Sequence, residues 1–190
     1  MLDRVQIGPI IDYLHNQRFA PEPFVAAENQ EAMLPPQPNL TMRGRTPHSL
    51  LRRVNEWHRR LAKDNTHQVS QWASAGIDGF EFLEGSQTNR SLKLWTIREL
   101  LSSKSLVAEG RQLKHCVASY GSSCIRGACS IWTMEVETHE GRTKALTLEV
   151  RSPRTICQAR GKANRLPTDK ERSIMRRWAA EAGLTIARYV

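Results

Sequence analysis

The chain has 190 residues, 39% of them hydrophobic and 25% charged, which is the composition of an ordinary globular protein and excludes a disordered one. It has no apolar run near the eighteen residues of a membrane helix, and its N-terminus lacks the pattern of a secretory signal. We therefore expect a cytoplasmic protein with no membrane partner. The net charge of +9 favours a polyanionic partner such as DNA or RNA.

Most of the positive charge lies in two segments, Arg43 to Lys63 and Arg151 to Arg177. Arginine clustered in this way is typical of phosphate-binding surfaces, because its planar guanidinium can donate two hydrogen bonds at once. A solvated basic surface is the alternative, and for a single helix face it is the simpler interpretation. Two separate clusters make nucleic acid an equal candidate.

The first predicted element is a short helix from Val5 to Leu14, weakened by Gly8-Pro9. Its apolar residues would share one side: Ile7, Ile10, Ile11 and Leu14. The stretch from Ala20 to Pro47 is too rich in proline for regular structure, which predicts an extended connector or a wrapping arm. Such an arm could bind a protein partner.

A stronger amphipathic helix is predicted to begin with Thr46 as the N-cap and Pro47 as the first helical residue. Its apolar face would consist of Leu50, Leu51, Val54, Trp57 and Leu61. The polar face carries four arginines that we assign to anion binding: Arg52, Arg53, Arg59 and Arg60. Residues 1–66 are thus predicted to be a helical, Pro-rich N-terminal extension.

The hydrophobic period then changes to that of strands. Two strands are predicted at residues 79–84 and 92–97, followed by a helix over 103–113 that Gly110 interrupts and a short helix over 116–125. Three more strands are predicted at residues 130–137, 144–150 and 155–160. Because the connections between these strands are short, we expect an antiparallel meander.

The last helix has the clearest boundaries. Thr168 and Glu171 form a capping box at its start, and Gly183 stands where a helix stop is expected. Residues 184–190 are predicted to be a closing strand. The predicted fold is α+β, a small antiparallel sheet packed against helices, in a domain that spans residues 79–190.

His115-Cys116 is the first candidate for special chemistry. An imidazole can activate a thiol, but neighbouring residues on a helix point about a hundred degrees apart, so a base such as His139 would be needed. A buried cysteine beside a hydrogen-bonded histidine is the simpler interpretation. Cys124 and Cys129 would add zinc-type ligands, but the close Cys-x-x-Cys pair is missing, so no metal or other cofactor is predicted. Without an export signal, we expect the cysteines not to form disulfides.

The second candidate is the segment from Gln158 to Thr168, which leaves a strand, passes Gly161 and enters a capped helix. Backbone N–H groups at such a helix start can bind an anion, and basic side chains lie nearby. The residues assigned to this anion site are Gln158, Arg160, Lys162, Asn164 and Arg165. A strand-to-helix turn with surface charges is the alternative.

Together these two segments resemble the PcfJ-like family, whose members occur on conjugative plasmids, in phages and in bacterial genomes. The resemblance rests on His115-Cys116-Val117 with Ser119-Tyr120, on Ser130-Ile131-Trp132, on residues 146–150, and on Gln158 to Lys162 with Asn164 to Pro167. The helix from Arg45 to His58 also resembles the segment that precedes this domain in longer members. The resemblance implies a mobile-element setting and no particular reaction.

Three functions follow from these observations. The first is a nucleic-acid-binding accessory protein of plasmid transfer or phage biology, which contacts phosphate through the two basic clusters. The second is an enzyme that acts on a phosphorylated or nucleic-acid substrate through His115 or Cys116. The third is a protein-interaction module in which the His-Cys core is purely structural.

Overall fold

A computed structural model describes residues 6–19, 35–67, 69–86 and 91–190. The chain divides into two compact units, Met1–Arg60 and Leu61–Val190. The predicted domain organisation, an extension over residues 1–66 and a domain over 79–190, stays a prediction.

The first unit contains one helix and the larger part of a second, whose last residues, from Leu61 on, belong to the second unit. Helix α1 spans Ile7–Leu14 and continues into a π-helical turn at His15–Phe19, and helix α2 spans Pro47–His67. The predicted cap is present, since the Ser49 amide donates to Oγ1 of Thr46 at 3.1 Å. The apolar face of α2 packs against α1 and against Leu40, which lies between the two helices in the sequence. The buried residues of this core are Ile10, Tyr13, Leu40, Leu50 and Val54.

Two predictions for this unit need comment. Ile11 was expected on the apolar side of the first helix, but 55% of its surface is exposed. The reason is geometric, because Ile10 and Ile11 are a hundred degrees apart around a helix and only one of them can face α2 fully. Residues 35–46 form no helix or strand, as predicted, and residues 20–34 of the predicted connector lie outside the described residues.

The second unit contains one six-stranded sheet, with strand order β1-β2-β3-β4-β5-β6. The strands are β1 (Phe80–Glu84), β2 (Lys93–Glu99), β3 (Cys129–Thr138), β4 (Gly141–Arg151), β5 (Thr155–Arg160) and β6 (Thr185–Ile186). The first five strands pair antiparallel with their sequence neighbours, so the predicted meander is confirmed.

The sheet is mixed rather than purely antiparallel, because β6 pairs with β5 in parallel. Helix α5 (Asp169–Glu181) accounts for this difference. It carries the chain back across one face of the sheet, and a strand that follows such a crossover runs in the same direction as the strand before it. The closing strand is also short, with two residues where seven were predicted.

The other helices of this unit differ slightly from prediction. Helix α3 (Ser103–Leu113) continues through Gly110 without interruption. The helix predicted over residues 116–125 is divided into a 3-10 turn at Val117–Tyr120 and helix α4 (Gly121–Ile125). Helix α5 begins and ends where its predicted cap and Gly183 place it.

The two faces of the sheet differ in polarity and are covered by different helices. Helix α5 buries Ile174, Met175 and Trp178 against the apolar face, where the rings of Trp132 and Trp178 lie 4.9 Å apart. Because successive residues of a strand point to opposite faces, the residues between these apolar positions face the other layer. Helices α3 and α4 cover that face, which carries buried polar side chains: Thr96, Thr133, Glu135, Thr147 and Glu149.

Over the part of the chain that the structure describes, no helix has both the length and the apolar character needed to cross a membrane.

Candidate functional site

The turn after β5 brings basic side chains to the surface. A single 3-10 turn, Lys162–Asn164, follows Gly161, whose amide donates to the carbonyl of Arg165 at 3.0 Å. Two residues of this turn adopt the left-handed conformation, with φ of 56° and 63°: Ala163 and Asn164. Lys162, the first residue of this compact turn, is exposed to solvent.

Arg165 has a structural task in this turn. Its Nη1 and Nη2 atoms donate to the two carboxylate oxygens of Glu171, at 2.7 and 2.5 Å, and Nη2 also donates to the carbonyl of Ala145. A Cβ atom on Gly161 would lie 2.7 Å from the Arg165 guanidinium carbon, so the glycine makes room for this side chain. Arg165 thus ties the turn to α5 and β4.

The predicted anion position at the start of α5 is taken by a carboxylate of the chain itself. Glu171 accepts a hydrogen bond from the Thr168 amide at 2.7 Å, and the Thr168 hydroxyl accepts one from the Glu171 amide. Burial opposes the charged form of Glu171, but hydrogen bonds from Arg165 and Thr168 outweigh it and lower its pKa. Phosphate would have to displace this carboxylate to bind at the helix start.

The other predicted residues of this cluster are half-buried: Gln158, Arg160 and Asn164. Arg160 is the register partner of Thr147 on β4, and Gln158 is the partner of Glu149. Both therefore lie on the face of the sheet that α3 covers. Nη1 of Arg160 donates to the carbonyl of Ala159 at 2.7 Å.

The end of α3 adds basic residues that sequence reasoning did not assign. Helix α3 packs against the 3-10 turn at Lys162–Asn164. Arg111 in its last turn and Lys114 at its C-cap are exposed, and neither forms an ion pair with a residue that the structure describes. Together with Lys162 they define what we call the α3–turn surface.

In the first unit, α2 presents its four predicted arginines to solvent. Arg52, Arg53, Arg59 and Arg60 are all exposed, while Val54 on the opposite face is fully buried. Glu56 is three or four residues from each arginine and lies in the middle of the group. Among the side chains that the structure describes, none forms an ion pair with any of these four arginines. We call this group the α2 arginine face.

His115 is placed by a sharp reversal at the end of α3. Lys114 adopts the left-handed conformation, with φ of 53°, and the His115 amide donates to the carbonyl of Gly110 at 3.1 Å. A Cβ atom on Gly110 would come within 2.9 Å of the His115 carbonyl oxygen. The glycine that was expected to interrupt the helix instead allows the chain to fold back closely under it.

The imidazole of His115 ends a buried chain of polar groups. Nε2 of His115 lies 2.9 Å from Oγ1 of Thr147, and Thr147 donates to Oε1 of Glu109 at 2.7 Å. Glu109 projects from α3 and is completely buried. Burial lowers the pKa of His115 to about 4, so the ring is neutral at physiological pH.

Lys144 compensates the buried carboxylate. Its Nζ atom lies 2.5 Å from Oε2 of Glu109 and donates to Glu135 at 2.9 Å and to Thr133 at 3.2 Å. Burial disfavours the charged lysine, but the two carboxylates outweigh it and raise its pKa. Arg98 adds a second cation, since its Nη2 lies 2.5 Å from Glu135. The cluster therefore contains two carboxylates and two cations.

Cys116 is half-buried, and its carbonyl accepts hydrogen bonds from the amide and the hydroxyl of Ser119, at 3.0 and 2.8 Å. Nε2 of His115 is directed to Thr147, and His139 lies in the exposed turn between β3 and β4. The arrangement favours a structural part for Cys116.

The remaining cysteines were considered as metal ligands. The sulfur atoms of Cys124 and Cys129 lie 4.0 Å apart, and all four cysteines, which belong to the described residues, are free thiols. Hydrogen bonding between these thiols, with burial, raises the pKa of Cys129. Among the described residues, no three His, Cys, Asp or Glu side chains are arranged to hold a metal ion.

Both cysteines line a groove of about 370 Å³ between residues 72–77, the end of α4 and the β4–β5 turn. Two arginines border it, and both have partners: Arg151 pairs with Glu149, and Nη2 of Arg154 donates to the carbonyl of Ala182. No residue predicted as a site residue from the sequence lines this groove.

Sequence reasoning missed the residues that hold His115. Glu109 lies on the same buried stripe of α3 as Leu106, Gly110 and Leu113. A carboxylate at a position of the apolar stripe was therefore the feature of the sequence that could have indicated a buried charge. In β3, Thr133 and Glu135 alternate with Trp132 and Met134, a pattern that reads equally well as a solvent-exposed face.

Comparison with known proteins identifies a family for this chain. Residues 46–175 match the family model described as PcfJ-like protein, which covers more than half of the chain. The chain therefore belongs to the PcfJ-like protein family. No curated protein and no solved structure shows significant similarity to it.

Proposed function

We propose that this protein is a nucleic-acid-binding accessory protein of a mobile element, acting in plasmid transfer or in phage biology. The α2 arginine face carries the proposal. Four exposed guanidinium groups surround one carboxylate, and a nucleic acid backbone supplies the counter-charge that this face lacks.

The spacing of the arginines suits a phosphate backbone. Arg52 and Arg59 are seven residues apart, as are Arg53 and Arg60, so each pair is separated by about 10 Å along the helix. Phosphates repeat about every 3.4 Å along the axis of one DNA strand, and the flexible arginine side chains can adjust to that repeat. Such contacts give affinity and position the protein without reading sequence.

The α3–turn surface of the second unit supports the same function. Arg111, Lys114 and Lys162 are exposed cations, and the same segment contains two half-buried polar residues, Gln158 in β5 and Asn164 in the turn. Arg165 contributes through the turn that it holds, because its guanidinium is engaged by Glu171. We place phosphate contact on Lys162 and assign Arg165 to support.

The setting of the proposal comes from the family and the charge. DNA or RNA of a plasmid or phage would be met in the cytoplasm, which is the compartment that the proposal requires. A protein partner on the Pro-rich arm remains the second candidate, although residues 20–34 lie outside the described part of the chain.

The test compares two variants with equal loss of charge. In the first, glutamine replaces the four arginines of the α2 arginine face. In the second, glutamine replaces four exposed cations elsewhere: Lys93, Lys104, Arg126 and Arg188. Fluorescence anisotropy with labelled duplex DNA and single-stranded RNA measures the affinity of each variant and of the wild type.

We expect the first variant to bind at least about tenfold more weakly than the second at low salt. Circular dichroism should show that both remain folded, since all eight positions are exposed. Equal affinity of the two variants would mean that the α2 arginine face is an ordinary solvated surface.

A further inference from the structure

Two buried thiols meet where α4 leads into β3. Cys124 lies near the end of α4 and Cys129 begins β3, and their sulfur atoms are 4.0 Å apart. A single buried cysteine needs no special explanation, because it often packs as a small apolar side chain. Two thiols in contact are a different observation, since a disulfide requires only that their sulfur atoms approach to about 2.05 Å.

The loop between the two cysteines lies at the surface. Residues 125–128 are all exposed, and the Gly127 amide donates to the carbonyl of Cys124 at 3.0 Å. Gly127 adopts the left-handed conformation, with φ of 67°, and a Cβ atom there would meet no other atom within 4 Å. The backbone of this loop can therefore adjust while the two sulfur atoms close the remaining distance.

A cavity gives small molecules access to the pair. Cys124 and Cys129 are only 4% and 8% exposed, but both line the groove of about 370 Å³ described above. A groove of this volume is large enough for a small organic molecule. Arg151, the register partner of Cys129, also lines it, and its positive charge favours the ionised form of that thiol.

We propose that Cys124 and Cys129 form a reactive dithiol, a modification site that low-molecular-weight disulfides entering the groove oxidise to an intramolecular disulfide. This inference goes beyond nucleic-acid binding and does not rest on it. The free thiols of the structure are the reduced form, and disulfides that form in a reducing compartment are usually transient and redox-sensing. Residues 125, 127 and 128 form part of the groove wall, so oxidation of the pair alters that wall.

The hydrogen bond between the thiols assigns a different part to each. This bond and burial raise the pKa of Cys129, so Cys129 keeps its proton and Cys124 attacks the reagent first. Once Cys124 is bonded to the reagent, it no longer holds the proton on Cys129 by its charge or as a hydrogen-bond partner. Cys129 is then the thiol that resolves the mixed disulfide.

The reaction consists of two thiol–disulfide exchanges. The Cys124 thiolate attacks one sulfur of the reagent, the sulfur–sulfur bond of the reagent breaks, and the leaving thiolate takes up the proton that Cys124 lost. The sulfur of Cys129 then attacks Sγ of Cys124, and the second reagent thiol leaves with the proton of Cys129. Two protein thiols are oxidised, and one small disulfide is reduced to two thiols.

Peptide mapping of the wild-type chain tests the proposal. The folded full chain is incubated with bis(2-hydroxyethyl) disulfide, and the remaining thiols are alkylated under denaturing conditions. Trypsin and chymotrypsin separate the two cysteines, because they cleave after Tyr120, Arg126 and Trp132. We expect mass spectrometry to show residues 121–126 joined to residues 127–132 by a bond that dithiothreitol breaks.

The other two cysteines are internal controls. Cys116 and Cys157 are half-buried, and burial raises the pKa of Cys157 to about 12. Both should be modified at least about tenfold more slowly than the pair and be recovered alkylated. Recovery of Cys124 and Cys129 as alkylated thiols, or disulfides that join Cys116 or Cys157 just as often, would overturn the proposal. This measurement needs no variant, so it decides the question even where a substitution impairs folding.

Serine variants test the order of the two steps. Cys129→Ser removes the resolving thiol, so the mixed disulfide with the reagent should accumulate on Cys124. Cys116→Ser and Cys157→Ser are the matched controls and should form the intramolecular disulfide at the wild-type rate. Circular dichroism checks that each variant is folded. A folded Cys129→Ser chain whose Cys124 stays unmodified would overturn the assignment of Cys124 as the first nucleophile.

Phenylarsine oxide gives a second readout of the pair, because one trivalent arsenic atom bonds two neighbouring thiols with loss of water. The wild-type chain should take up this group and then resist oxidation by the small disulfide. Cys124→Ser should lose the uptake, and Cys116→Ser should keep it. Equal uptake by Cys124→Ser and the wild type would show that the arsenic is held elsewhere and would contradict the dithiol.

Discussion

Individual residues of the second unit divide into those that hold the fold and those that are available to a ligand. Arg165 belongs to the first group, because Glu171 and the carbonyl of Ala145 engage its guanidinium. Lys162, three residues earlier, belongs to the second, because it is exposed to solvent. Charge alone does not distinguish the two, and neither does their spacing in the sequence.

The buried charge of Glu109 should be essential to stability. Glu109→Gln keeps the shape of the side chain but leaves Lys144 with Glu135 as its remaining carboxylate partner among the described residues. We expect the free energy of unfolding to fall by about 2 to 4 kcal/mol, because a buried cation loses part of its compensation. Chemical denaturation measures this change.

Glu137→Gln is the matched control, since Glu137 pairs with Arg142 at the exposed end of the β3–β4 hairpin. It should leave the free energy of unfolding essentially unchanged. Similar losses in the two variants would show that the Glu109 carboxylate is not in a special environment.

The lowered pKa of His115 predicts how stability depends on pH. The unfolded chain binds a proton at this histidine below about pH 6.5, whereas the folded protein does so only near pH 4. The unfolded state therefore binds more protons in this window, and stability falls as the pH is lowered, by at most about 1.4 kcal/mol per pH unit.

Denaturation curves between pH 5 and pH 6.5 test this prediction. Carboxylates with lowered pKa, such as Glu171 and Glu135, begin to lose their contributions as the pH falls toward about 4.5, so their share of the slope is the part that remains in His115→Gln. His115→Gln should flatten the dependence on pH, and His139→Gln should not. A wild-type slope that survives in His115→Gln would place the titrating group elsewhere.

At the level of elements, the sequence predicts those whose boundaries are encoded locally. The N-cap and proline of α2 and the capping box of α5 lie within a few residues of the helix starts, and both helices begin as predicted. The strands of the meander follow from alternation and short turns. Gly110 shows the limit, because its role depends on the His115 carbonyl, which reaches it only after the chain has folded back.

The turn between β5 and α5 allows support and binding to be separated by mutation. Arg165→Ala should lower the free energy of unfolding by about 1 to 2 kcal/mol, a value discounted because 40% of the arginine side chain is exposed. Lys162→Ala should leave stability unchanged and lower the magnitude of the salt slope for duplex DNA by about 0.9.

Denaturation and anisotropy titrations on the same two variants give both quantities. The reverse pattern, with Arg165→Ala altering only the affinity and Lys162→Ala altering only the stability, would contradict the roles assigned here.

For the whole molecule, the charge and the family could be read from the sequence, whereas the arrangement of the candidate site could not. A net charge of +9 was readable from the sequence, as was the resemblance that the family match confirms. The convergence of His115 and Arg160 on Thr147 was not, because it joins residues from α3, β4 and β5 that only the order of the strands brings together. Contacts between residues that are far apart in the sequence produce no motif of fixed spacing from which they could be predicted.

The central claim, that this protein binds nucleic acid through phosphate contacts, is tested most directly by the dependence of affinity on salt. Anisotropy titrations of the wild-type chain with duplex DNA and single-stranded RNA, over a series of salt concentrations, give the slope of log affinity against log salt. We predict a straight line whose magnitude is about 0.9 per contacted phosphate for duplex DNA and about 0.7 for single strands. No binding to either nucleic acid at low salt, or an affinity that salt does not change, would contradict the account.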